Sequence, residues 1–260
     1  MRKKTMAAIR AHAVAEYPRE CCGLVVMRDR RETYRPCRNM AEGTAHFVLD
    51  PEDYAAAEEA GRITAIIHSH PDQQPILLHD ADRVACEESG LPWFIVPVNP
   101  DETGAVVAGE MVGIAPEGFV SPLLGRPFAH GVLDCYSLVR DWYARERGIA
   151  LPDFHRDDCW WEPGKSGDLY MDHYAEAGFR PLASSEAISP GDVVLMQIRS
   201  DRANHAGVFI GTQALTEAPD LFPVPDAMLH HLHGRDSERV VYGGYWREAT
   251  RLVLRYKGVT

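Results

Sequence analysis

Ile63-Thr64-Ala65-Ile66-Ile67-His68-Ser69-His70-Pro71-Asp72 is an apolar run that ends on two imidazoles. An apolar run of that length reads as a strand, and alternate side chains of a strand point the same way. His68 and His70 can therefore converge on one ion. A third candidate ligand, Asp82, follows in His79-Asp80-Ala81-Asp82, which opens a helix-like stretch through Arg83, Val84, Cys86 and Glu87. Two histidines and one carboxylate leave a fourth zinc position for water, the arrangement of catalytic rather than structural sites. A proton-handling group is still needed. Glu20, in Pro18-Arg19-Glu20-Cys21-Cys22-Gly23 just before the apolar run Leu24-Val25-Val26, is the candidate. A His-x-His pair taken alone also arises from two surface histidines by chance, so the order of all four residues matters.

That order resembles the JAMM (MPN/JAB-type) metalloprotease motif: a glutamate, then His-Ser/Thr-His, then a serine and an aspartate. The resemblance implies an αβα sandwich. It also implies a Zn2+ ion held by His68, His70 and Asp82, with Glu20 moving the proton. One departure stands out. The family places seven residues between the second histidine and a serine, and here that count lands on Leu78. Counting back from Asp82 puts His79 in the serine slot instead, so the loop Asp72-Gln73-Gln74-Pro75-Ile76-Leu77-Leu78 is one residue longer. Two expectations follow and stay open. Either His79 donates to an oxyanion, or the site binds metal and is catalytically weak; Asp80 is the alternative ligand.

The chain has 260 residues, room for two domains of ordinary size. A formal charge of −11 argues against a general nucleic-acid binder, which would present a basic face. No segment approaches the length of a membrane span. Met1-Arg2-Lys3-Lys4 is basic but no apolar core follows, which predicts no secretory leader. Six cysteines stand at 21, 22, 37, 86, 135 and 159, none in a paired Cys-x-x-Cys pattern. Without a leader they read as reduced thiols, mostly buried as small hydrophobes, with Cys135 the exception.

Periodicity and punctuation predict, in order, a helix over 3–17, strands at 23–28 and 33–37, and a helix over 51–60. A strand at 63–68, a helix near 80–89 and strands at 93–98 and 105–113 complete this half. Residues 1–113 form a first domain in this reading. The Gly- and Pro-rich stretch 114–125 is a linker, and 126–260 form a second domain. In the latter, Asp134 caps a helix that carries the apolar stripe Leu138, Val139, Trp142 and Tyr143 and ends before Gly148. A second helix spans about 168–177, and strands cover 192–197 and 205–210. Helix first and an antiparallel sheet afterwards indicate α+β.

Cys135 opens that capped helix, and helix N-termini favour thiolates. His205, on a strand far along the chain, is a candidate base. Three blocks sharpen the pair: Gly131-Val132-Leu133-Asp134-Cys135-Tyr136-Ser137-Leu138, Pro190-Gly191-Asp192-Val193-Val194-Leu195 and Asn204-His205-Ala206-Gly207-Val208-Phe209-Ile210-Gly211. Together they resemble the NlpC-type papain-like endopeptidases over roughly 126–250. The resemblance implies Cys135 as nucleophile, His205 as base and His230 as the third group, with His231 next in line. The longer stretch 212–227 precedes that third position.

A JAMM-like half followed by an NlpC-like half resembles a family of tail-tip proteins of lambda-like phages. The likeness extends through Pro18 to Gly23, Cys37-Arg38-Asn39, Asp50-Pro51-Glu52-Asp53-Tyr54 and His230-His231. It implies a bifunctional hydrolase that partners other tail-tip proteins, present in the host cytoplasm during assembly and then at the virion tail tip. Its cysteine half would cut peptidoglycan stem peptides, usually between D-glutamate and a diamino acid. Its metallo half would cut a peptide or isopeptide bond. The alternatives are a catalytically weak structural tail-tip module and a cellular cytoplasmic isopeptidase or wall-peptide peptidase.

Overall fold

The run Ile63 to Pro71 lies at the centre of a six-stranded sheet, buried from both sides. A computed structural model describes residues 1–44, 46–73, 78–165 and 167–258, and the chain divides into two units, Met1–Val120 and Ser121–Thr260. The first contains α1 (Lys3–Glu16), β1 (Cys22–Arg28), β2 (Arg31–Cys37), α2 (Pro51–Ala60), β3 (Arg62–Pro71), α3 (Asp80–Ser89), β4 (Trp93–Pro100), β5 (Val106–Ala108) and β6 (Val112–Ile114). Strand order is β2-β1-β3-β4-β5, with β6 also pairing β4. Among the described residues of this unit only β3 and β4 run parallel, joined through α3 as a parallel pair requires.

Covering both faces explains why β3 reads as an apolar run and not as an alternating one. On one face Val25, Ala65, Ile67, Val96 and Val98 pack against Ile9 and Ala13 of α1. On the other, Leu24, Val26, Ile66 and Trp93 pack with Ala57 of α2 and Cys86 of α3. The unit is the αβα sandwich that the resemblance implied. Asp50 caps α2 by accepting from the amides of Glu52 and Asp53, and Pro51 fills the first helical position, where no amide hydrogen is needed. The strand expected at 105–113 is two strands. β5 pairs with 98–100 and β6 with 93–95, and the chain breaks between them where Gly109 N donates to Pro97 O.

The second unit contains α4 (Cys135–Arg147), α5 (Leu169–His173), β7 (Phe179–Pro181), β8 (Val193–Met196), β9 (His205–Gly211), β10 (Ala227–His230), β11 (Glu238–Val241), α6 (Tyr245–Ala249) and β12 (Thr250–Tyr256). Its sheet, in the order β11-β10-β9-β8-β12-β7, is antiparallel throughout. Leu138, Val139, Trp142 and Tyr143 of α4 bury against Val193, Leu195, Ala206, Val208 and Leu229. The opposite face carries Val194, Met196, Phe209, Met228 and Tyr242. The helix expected over 168–177 is shorter. It stops at His173 because the chain turns through Gly178, at φ +90°, to deliver Phe179 into the core. β7, β10, β11, α6 and β12 had no counterpart in the sequence reading.

Residues 114–125 are taken up by both units. Glu117 and Phe119 donate their amides to Glu87, whereas Leu123 is fully buried and Arg145 donates to Ser121 O. Among the described residues no helix is long and apolar enough to cross a membrane.

Two candidate catalytic centres

In the first unit, β3 and the start of α3 bring His68, His70 and Asp82 together. His68 Nε2 lies 3.0 Å from His70 Nε2 and 3.2 Å from Asp82 Oδ1, and His70 Nε2 lies 3.4 Å from Asp82 Oδ2. All three residues are buried. Donors bound tetrahedrally to zinc at about 2.0–2.1 Å sit about 3.3 Å apart, so these separations suit the ion. Two imidazole nitrogens facing each other at 3.0 Å need a proton or a cation between them. The donor set, two neutral nitrogens and a carboxylate, matches a catalytic zinc site.

Neighbouring strands fix these rings. Phe47 stacks on His68 at 4.8 Å and Trp93 meets it edge-on at 5.3 Å. Ser69 N donates to Cys21 O, and its hydroxyl accepts from Cys21 N, tying the end of β3 to the residue after Glu20. Asn39 Nδ2 donates to Glu20 O, while Asn39 Oδ1 accepts from the amides of Ala41 and Val48. Glu20 is thus held by its backbone while its side chain is buried beside the cluster. Burial pushes its carboxyl up to about 8; His70 pulls the other way, and Asp82 adds to the rise. Burial lowers the His68 pKa. At His70 burial also lowers it, but the hydrogen bond to Asp82 and the Asp82 and Glu20 charges outweigh that, and the net shift is upward.

His79 is the residue before α3. Its amide donates to Asp82 Oδ2, its ring stands 5.2 Å from that of His70, and its Nε2 meets Gln73 Oε1 at 3.2 Å. Among the described residues Asp82, and not Asp80, joins the histidine cluster. Four residues of the lengthened loop, 74–77, lie outside the described residues.

In the second unit, Cys135 is the first residue of α4. The Asp134 carboxylate before it accepts from Tyr136 N, Ser137 N and Ser137 Oγ through Oδ1, and from Gly131 N and Arg156 Nε through Oδ2. Cys135 Sγ lies 3.1 Å from the Tyr170 hydroxyl, and the Ala206 amide also faces it. That amide belongs to the residue after His205, so α4 and β9 do meet at the thiol. Among the described residues, no hydrogen bond joins Sγ to the His205 ring, whose Nε2 instead lies 3.0 Å from His230 Nδ1. The structure brings His230, and not His231, to His205. The His231 ring packs on Phe128 at 5.1 Å.

The electrostatics differ from what a helix start alone implies. Burial, and then the Asp134 charge, push the Cys135 thiol up to about 11 against the pull of Tyr170 and the Ala206 amide. Burial lowers His205 to about 3 and His230 to about 4. At rest the pair is therefore a neutral thiol and a neutral imidazole. Tyr170 and Arg156 escaped the sequence reading. Nothing local in Asp168-Leu169-Tyr170 or His155-Arg156-Asp157 marks them, because their partners lie far along the chain.

Residues 2–110 match the family model described as prokaryotic homologs of the JAB domain, and residues 125–255 match that of the NlpC/P60 family. The chain is 44% identical over 262 residues to the tail tip assembly protein K of Escherichia phage N15, an alignment spanning 100% of this chain and 97% of that protein. It is 36% identical over 209 residues to the tail tip assembly protein K of Escherichia phage lambda, across 80% of this chain and 89% of that one. A solution structure of a protein from Desulfitobacterium hafniense aligns with 42% of this chain and 87% of its own length at 23% identity, but its TM-score of 0.31 is too low to bear on the fold.

Proposed function

The chain belongs to the family of tail tip assembly protein K, with a JAB-like domain followed by an NlpC/P60 domain, and we propose that it is a tail-tip hydrolase with two independent centres. In this reading it assembles with other tail-tip proteins in the host cytoplasm and cuts the cell wall from the virion tail tip. What supports the cysteine chemistry is one arrangement: a thiol at the start of α4, against β9, whose His205 is already held by His230.

Cys135 Sγ attacks the carbonyl carbon of a peptidoglycan stem peptide, between D-glutamate and a diamino acid, and its proton passes to His205 Nδ1. The Tyr170 hydroxyl, beside Sγ, donates to the charge that develops there. His205 then returns the proton to the leaving amine as the C–N bond breaks. Water hydrolyses the resulting thioester, giving its proton to the same nitrogen. His230 keeps the His205 ring oriented through both halves.

In the first unit, His68, His70 and Asp82 would hold a zinc ion, which when bound supplies Lewis acidity to a peptide or isopeptide carbonyl and to the attacking water. Glu20 would take that water's proton on its carboxylate, the form that the charge of a bound ion favours against the effect of burial, and deliver it to the leaving nitrogen. His79 offers a ring N–H toward the carbonyl oxygen. The bond cut by this unit lies in a tail protein during maturation or in the wall.

Mass spectrometry of peptidoglycan digested by wild type, Cys135→Ala and His68→Ala tests the assignment. Stem-peptide fragments are expected from wild type and His68→Ala and not from Cys135→Ala. Identical fragments from Cys135→Ala would remove the cysteine mechanism.

A further inference from the structure

We propose that Glu238 is a positioning residue for the cysteine centre: its carboxylate accepts the Nε2 hydrogen of His230 and so sets which nitrogens of the His230–His205 pair carry protons. The inference rests on the cysteine chemistry proposed above, and deepens it by one further residue.

Proton counting leads there. To accept a proton from Cys135, neutral His205 must leave Nδ1 bare, and its single ring hydrogen then sits on Nε2. That hydrogen points at His230 Nδ1, 3.0 Å away, so His230 Nδ1 must be the acceptor. The one hydrogen of neutral His230 is thereby forced onto its own Nε2. The reverse arrangement makes an equally good bond between the rings. It would, however, turn a protonated Nδ1 toward the thiol, and His205 would be no base. Nothing within the pair chooses between the two, so an outside group must.

His230 Nε2 is buried and has no hydrogen-bond partner among the described residues. The carboxylate that faces it is Glu238, with Oε1 at 3.9 Å. Glu238 is the residue directly opposite His230 in the β10–β11 register, and directly opposed residues on paired strands point to the same face. Its backbone is anchored next door. Ser237 N donates to Arg126 O, Ser237 O accepts from Gly125 N, and Ser237 Oγ accepts from Arg126 N. Its side chain, by contrast, is 48% exposed, and no other hydrogen bond or ion pair holds it among the described residues. Closing the 3.9 Å gap calls on the half-exposed side chain alone, because the backbone of Glu238 is already paired with that of His230. The other groups facing His230 are His205, His231, Arg235 and the Trp246 ring at 4.5 Å. None of them is a carboxylate.

The test uses the full chain with 15N-labelled histidine. Long-range proton–nitrogen NMR correlations read which nitrogen of His205 and His230 is protonated, without any turnover. Wild type is expected to show Nε2–H on both rings. Glu238→Ala should give a mixture, and Glu238→Lys, which offers a donor in place of an acceptor, should favour Nδ1–H. Stem-peptide release should fall by about ten-fold or more in Glu238→Ala, further in Glu238→Lys, and recover in part in Glu238→Gln, whose amide oxygen still accepts. Nε2–H persisting on both rings in the Ala and Lys variants would overturn the proposal. Failure of the underlying chemistry is read separately. If Cys135→Ala still releases stem peptides, the cysteine mechanism falls, and the NMR comparison still decides the role of Glu238.

Discussion

Cys135 shows how a local signal can be outweighed by its surroundings. A helix N-terminus favours a thiolate, but here the capping charge of Asp134 and the burial of the sulfur act the other way, and the thiol moves from its ordinary 9.0 to about 11. Thiolate is the form that alkylates, so reaction of Cys135 with iodoacetamide should rise with pH without a plateau near neutrality. Tyr170→Phe removes a donor to the thiolate and should move that profile to still higher pH. A plateau below neutrality would instead reveal a preformed thiolate–imidazolium pair. At Glu20, the amide of Glu20→Gln keeps the shape of the carboxylate but cannot take a proton. Metal content of that variant should match wild type while turnover by the first unit disappears; turnover within a few-fold of wild type would assign Glu20 to packing.

Among the elements, the β1–β2 crossing carries the tightest constraint on the first centre. A Cβ added at Gly23 would sit 2.5 Å from the Tyr34 hydroxyl and 2.6 Å from Arg35 O. The tyrosine can swing, but the carbonyl belongs to the paired strand and cannot. Gly23→Ala should therefore push β1 off β2, at a cost of about 1–3 kcal/mol. Because Glu20 precedes β1 by two residues, its placement over His68 and His70 should suffer with it. Urea unfolding followed by a probe in the first unit would show the lowered midpoint. An unchanged midpoint would mean that the sheet relaxes freely at that position.

At the scale of the molecule, the two candidate centres fall in different units. A chelator should abolish turnover that depends on His68 and lower the unfolding temperature of the first unit, leaving Cys135-dependent release untouched; loss of both activities would show one shared centre. Acid should act on the second unit. His205 and His230 titrate near 3 and 4 in the fold, below the ordinary 6.5, so the unfolded chain binds protons first. Stability is then fully present above about 6.5 and is lost as pH falls towards 4, by up to about 1.4 kcal/mol per pH unit for each ring. Denaturant midpoints of the second unit measured across that window check the sign, and a flat profile would contradict it.

Asp134 ahead of Cys135 and the two histidines at the end of an apolar run act within three residues of themselves. Caps, ligand pairs and a buried central strand could therefore be read directly. The families of both halves were legible for the same reason, since each motif is a short block. What lay beyond reach depends on residues distant in sequence. The insertion of β12 between β8 and β7, the division of 105–113 into two strands and the early stop of α5 follow from sheet pairing and core filling, which leave no local pattern. Tyr170 reaches the thiol from another element, and His230 was separated from His231 only when β10 placed one ring against His205 and turned the other toward Phe128. Burial sets the direction of the shift at Cys135, Tyr170, His205, His230 and His231, and burial is set by the packed fold and not by neighbours along the chain.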